Sequence, residues 1–166
     1  MRKRAAYGVL LACLTAGAAA LAAPTGTPSP AEAVARGRYL VAFGGCNDCH
    51  TPGWREADGK VPIKAWMIGT SVGFRGPWGT VYPANVRQRF QEISEQQWLD
   101  MVRTRGGHPP MTWENLRGLS PADQHAIYAF IRSLGPGGKD SLDTVPREKE
   151  PTTPYFTLVT PQPSSR

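Results

Sequence analysis

Apolar residues recur at helical spacing in three stretches of this chain. In the first, Val34, Gly37, Leu40 and Val41 fall on one face. Ser29 precedes them as an N-cap, Pro30 suits the first helical position, and Glu32 completes a capping box. The helix is therefore predicted to begin near Pro30 and to stop at Gly44-Gly45. A second helix is predicted from about Glu95 to Arg105, capped by Ser94 with Gln97 three residues on, and followed by Gly106. Its apolar face is Trp98, Leu99 and Val102. A third runs from about Pro121 to Leu134, capped by Ser120, with Asp123 in its first turn and Gly135 as its stop. Ile127, Phe130, Ile131 and Leu134 form its apolar side.

Gly37 inside the first helix costs ~1 kcal/mol relative to alanine. A close crossing of the first and last helices accounts for that cost, with Tyr128, Phe130 or Ile131 filling the gap. Between the first two helices, residues 51–91 read as loop. Trp54, Trp66, Phe74, Trp78 and Tyr82 recur there among Gly53, Gly69, Gly73, Gly76 and Gly79. So long an irregular segment in a compact domain implies a functional reason for it. From Pro136 onward proline, threonine, serine and charge dominate, and the tail is expected to be extended, without a core of its own. Within it, Tyr155 to Val159 reads either as a short strand or strap on the domain surface or as a docking segment for a partner.

The N-terminus has the form of a secretory signal peptide. Arg2, Lys3 and Arg4 precede an uncharged apolar run from Tyr7 to Leu21, and Ala20-Leu21-Ala22 has the small-x-small form of a cleavage site. The alternatives are an uncleaved anchor, for which the run is short, and lipoprotein processing at Cys13. The chain thus divides into a signal peptide (1–22), a linker (23–29), one domain (30–135) and a proline-rich tail (136–166). Cleavage removes three positive charges and no negative ones, so the formal net charge falls from +6 to +3. No basic run survives it, and the chain does not read as a nucleic-acid binder. Arg87, Arg89, Arg103 and Arg105 form either a local basic patch for an acidic partner or ordinary solvated positions.

Directly after the first helix stands Cys46-Asn47-Asp48-Cys49-His50. This C-x-x-C-H pattern is the signature of covalent haem c attachment. Two thiols three positions apart can form thioethers to two haem vinyl groups, and the adjoining imidazole can bind the iron. A zinc site of four cysteines needs a second pair, which is missing, and a thioredoxin-like dithiol expects a βαβ context. Such attachment takes place outside the cytoplasmic membrane, so the motif and the export signal support each other and point to the periplasm. One motif means one haem.

For a sixth iron ligand, Met111 is the first candidate. It lies in His108-Pro109-Pro110-Met111, a stiff loop between the second and third helices. His108 is its competitor, while Met67 and Met101 read as packing residues and His125 as a surface or packing histidine. A thioether ligand would raise the reduction potential relative to two imidazoles. Asn85 and Tyr82, with Arg75 and Trp78, are candidates for hydrogen bonds near a haem propionate.

The motif stretches Arg36-Gly37-Arg38-Tyr39-Leu40, Cys46 to Thr51, Gly79 to Val86, Pro109-Pro110-Met111 and Leu119 to Leu134 together resemble a class I c-type cytochrome. More narrowly, residues 30–135 are similar to the haem domains in cytochrome subunits of membrane-associated alcohol, aldehyde and sugar-acid dehydrogenases. The resemblance implies an all-α cytochrome c fold, three main helices with long haem-wrapping loops. It implies thioethers from Cys46 and Cys49, His50 as proximal ligand, Met111 as distal ligand, and Gly79–Val86 along the haem edge. Those subunits commonly carry three such motifs, whereas this chain has one, and Val86-Arg87-Gln88-Arg89 replaces the Thr-Pro-Asp that often follows the asparagine. The expectation is a periplasmic electron carrier rather than an enzyme. It would exchange electrons with a dehydrogenase donor and an oxidase or cytochrome acceptor, with peripheral membrane association left open. The rivals are a cytochrome subunit permanently docked to a dehydrogenase or oxidase, and a haem enzyme or gas sensor with a displaceable sixth ligand.

Overall fold

The computed structural model describes residues 28–159. The signal peptide, its cleavage site, Cys13, most of the linker and the last residues of the tail lie outside that range. The three helices read from the sequence are present as α1 (Pro30–Phe43), α4 (Glu95–Thr104) and α6 (Pro121–Ser133). Their starts are set by side chains that satisfy otherwise unpaired amides. Ser29 Oγ accepts from the Glu32 amide at 3.3 Å while the Glu32 carboxylate accepts from the Ser29 amide at 2.7 Å. Ser94 and Gln97 make the same reciprocal pair, and Ser120 Oγ accepts from the Asp123 amide at 3.1 Å.

Helices α1 and α6 cross at Gly37. A Cβ there would stand 1.9 Å from the Ala126 carbonyl oxygen and 2.7 Å from Phe130 Cβ. Only a residue without a side chain permits this approach. Around the crossing, Val41, Trp66, Phe90, Trp98, Val102, Ile127, Phe130 and Ile131 form the core. Trp66 packs edge-on to both Trp54 and Phe130.

The all-α expectation is wrong. Besides three shorter helices, α2 (Cys46–His50), α3 (Val86–Glu92) and α5 (Trp113–Arg117), the chain builds a mixed sheet. Strands β1 (Gly73–Gly76) and β2 (Gly79–Val81) form an antiparallel hairpin pairing Phe74 with Val81 and Arg75 with Thr80. Strand β3 (Tyr155–Thr157) comes from the tail and pairs in parallel with β1, giving the order β2-β1-β3. The physical cause is the need of a buried backbone for partners. The segment read as loop satisfies its peptide groups by folding on itself and by recruiting the tail.

The described part of the tail, residues 136–159, is largely extended, as expected, but it is bound to the domain. Arg75 donates to the carbonyls of Arg147 and Lys149 at 3.1 and 2.9 Å. Thr80 exchanges backbone hydrogen bonds with Val145. Arg87, 6% exposed, donates to the carbonyls of Lys64, Leu134, Gly135 and Pro136, capping the end of α6. It therefore contributes to no basic patch. Arg89 and Arg103 pair with Glu92 and Asp100 on their own helices, and Arg105 lies over the Trp113 ring.

Candidate cofactor site

Helix α2 is a single turn that follows α1 through Gly45, whose φ of +68° lets the chain reverse sharply. Three positions apart on that turn, Cys46 and Cys49 project from one face. Both are free thiols and partly buried. Burial pushes both thiols above their ordinary range. A redox-active dithiol needs the opposite shift.

The turn is pinned from beneath. Asn47 is fully buried, and its Oδ1 accepts from Thr51 Oγ1 at 2.7 Å. Thr51 Oγ1 in turn accepts from the Met67 amide at 2.9 Å, and the His50 carbonyl accepts from the Gly69 amide at 2.9 Å. Gly69, at φ +77°, is pressed against the next segment, where an added Cβ would meet Asn85 N and Pro83 O at 2.8 Å. This contact brings the Ala84 carbonyl to His50.

The His50 ring is half-buried, and its Nδ1 lies 2.8 Å from the Ala84 carbonyl oxygen. A carbonyl only accepts, so Nδ1 carries the proton and donates it. That fixes the tautomer and leaves a lone pair on Nε2, the arrangement of a metal-binding imidazole. Burial holds the ring's pKa below its ordinary value, partly offset by the bond to Ala84. Neutral imidazole is the ligating form. Among the described residues Nε2 has no hydrogen-bond partner.

Met111 lies between α4 and α5, after a cis Pro109–Pro110 bond, with its amide bonded to the His108 carbonyl at 3.1 Å. Its side chain is 41% exposed, and the thioether is uncommitted to any hydrogen bond among the described residues. The competitor His108 stacks on Trp78, with ring centroids 5.1 Å apart and planes 7° from parallel. Met67 is buried and Met101 packs against the core. His125 is at the surface, 2.6 Å from the Glu95 carboxylate.

The four residues considered for the propionate edge separate. Tyr82 bonds Thr153 through its hydroxyl at 2.8 Å. Asn85 accepts from the Gln88 amide, capping α3, and donates to the carbonyls of Gly137 and Lys139. Arg75 is occupied by the tail. Trp78 alone has a buried indole N–H with no partner. Such an orphan donor is costly unless something accepts from it. It sits beside the His108–Met111 loop.

The residues fit a covalently held haem: two thiols and an imidazole with Nε2 available share one turn, and an exposed thioether lies on the loop whose His108 stacks on Trp78. No cluster of three or more His, Cys, Asp or Glu side chains placed to hold a metal ion occurs among the described residues. A haem needs none, since the porphyrin supplies four of the iron's ligands. Sequence reasoning missed Ala84, Gly69 and the Asn47–Thr51 pair. Ala84 acts through its backbone and carries no signal, whereas Gly69 and the C-x-x-C-H-T run did offer one.

Comparison with protein-family models, with curated proteins and with solved structures returns no match.

Proposed function

We infer that the chain is a monohaem c-type electron carrier of an exported compartment such as the periplasm. Cys46 and Cys49 would anchor the group, and His50 Nε2 and Met111 Sδ would hold its iron. The group, once bound, supplies a one-electron Fe(III)/Fe(II) couple. The observation that carries this reading is the His50 Nδ1–Ala84 bond on the turn that bears both thiols. It orients the imidazole and frees the nitrogen that the motif requires. Trp78 N–H would donate to an acidic group at the haem edge. Partners would be redox proteins that dock transiently. No described helix is long and apolar enough to cross a membrane.

The test is a redox-difference spectrum of the exported protein together with acid–acetone extraction. Retained colour and a shift between oxidised and reduced bands are expected. Colour that is lost to the solvent, or a protein that never acquires it beside a working maturation system, refutes covalent attachment.

A second reading is favoured by the 41% exposure of Met111: a haem protein whose sixth ligand is displaceable. Ready binding of carbon monoxide by the reduced wild type would select it.

A further inference from the structure

The tail reaches the candidate ligand through one peptide group. The carbonyl of Ala84 and the amide of Asn85 belong to the same planar unit. Its oxygen accepts from His50 Nδ1 at 2.8 Å, and its N–H donates to Ser141 Oγ at 2.8 Å. The unit is clamped where it lies. Asn85 Nδ2 donates to the carbonyls of Gly137 and Lys139 at 2.7 and 2.8 Å. Gly138, at φ +74°, leaves no room for a side chain, because a Cβ would meet Ile68 Cβ at 2.7 Å and Asn85 Nδ2 at 2.9 Å. Residues 137–141 are thus seated against the peptide that orients His50.

On the reading that His50 ligates a haem, we propose that Ser141 is a positioning residue that lowers the reduction potential through the Ala84–Asn85 peptide. Hydrogen bonds in series polarise one another. An acceptor on the Asn85 N–H makes the Ala84 oxygen a stronger acceptor. That draws the Nδ1 proton away from the ring and makes Nε2 a better electron donor. A more donating axial ligand favours Fe(III) over Fe(II). Ser141 is exposed, so its hydroxyl can be altered without disturbing the core.

The test is potentiometry on the haem-bearing variants Ser141→Ala, Ser141→Thr and Gln88→Ala, with hydrogen exchange of the Asn85 amide as a second readout. Gln88 bonds Asp140 at 2.8 Å, joining the same stretch of tail to α3 without touching the peptide. Ser141→Ala should raise the midpoint by roughly a two- to fivefold change in the Fe(III)/Fe(II) equilibrium, about 20–40 mV at ~59 mV per decade. It should also speed exchange at Asn85. Ser141→Thr, which keeps the hydroxyl, should restore both, and Gln88→Ala should leave the potential unchanged. An unmoved potential in haem-bearing Ser141→Ala overturns the proposal, as does an equal shift in Gln88→Ala. A wild type without covalent haem overturns the attachment reading itself, a result distinct from bound haem with an unmoved potential.

Discussion

Gly37 and Ala126 touch backbone to backbone. The first helix lies against the last with no space for a methyl group between the Gly37 Cα and the Ala126 carbonyl. Gly37→Ala gains ~1 kcal/mol of helix propensity but forces the crossing apart. A net loss of about 1–3 kcal/mol is expected from overpacking. Denaturant titration of the variant checks it, and a midpoint at or above the wild type's would show that α1 and α6 can separate without cost.

Met111→Ala removes the proposed sixth ligand while leaving Cys46, Cys49 and His50 intact. The haem should stay attached and change from six-coordinate low-spin to high-spin or water-ligated. Visible absorption in both oxidation states reads this directly. An unchanged spectrum would transfer the role to another side chain, with His108 the first to examine.

Asn85 holds two structures at once, and Asn85→Asp separates them. The carboxylate keeps an acceptor for the Gln88 amide, so α3 stays capped. It loses the two donors that hold the Gly137 and Lys139 carbonyls and sets a negative charge against them. A cost of about 1–3 kcal/mol is expected for the unsatisfied contacts. The tail should become susceptible to trypsin at Lys139, which the wild type should resist. Equal cleavage rates in the two proteins would mean that other contacts hold the strap.

Asp123 predicts a dependence of stability on pH. Arg36 Nε donates to its carboxylate at 2.8 Å, joining α1 to α6, and this bond holds the Asp123 carboxyl below its ordinary range. A carboxyl depressed in the folded state contributes fully above its unfolded pKa, and the contribution fades as pH falls through the folded value. The pair is partly solvated, so the effect is small. Asp123→Asn should be less stable than wild type near neutrality, and the two should converge in acid. Denaturation midpoints measured across the acid range would show this, and parallel curves would contradict it.

Helices α1, α4 and α6 were legible because their signals are local: Ser29 with Glu32, Ser94 with Gln97, Ser120 before Pro121. The short turn that carries the C-x-x-C-H run follows Gly44-Gly45, where the sequence ends the first helix. The hairpin was not legible. Three of its seven strand residues are glycine, which conceals the two-residue alternation of a strand. Helix α3 had a readable start, with Asn85 as its cap and Val86 and Phe90 one turn apart. It was hidden by reading the asparagine only as a haem-edge residue. The strand at Tyr155–Thr157 was legible as an apolar run in a polar tail, but the tail's other attachments were not, since Arg75, Asn85 and Arg87 seize main-chain carbonyls that every residue possesses.

Arg87 joins parts of the chain that lie far apart in sequence. Its amide donates to Met67, and its guanidinium gathers the oxygens of Lys64, Leu134, Gly135 and Pro136. The carbonyls that close α6 therefore find their donors on the region around residue 87. That same region presents the oxygen that steadies the imidazole at 50. One guanidinium thus links the end of the last helix to the segment behind the imidazole, and damage at either place should be felt at the other.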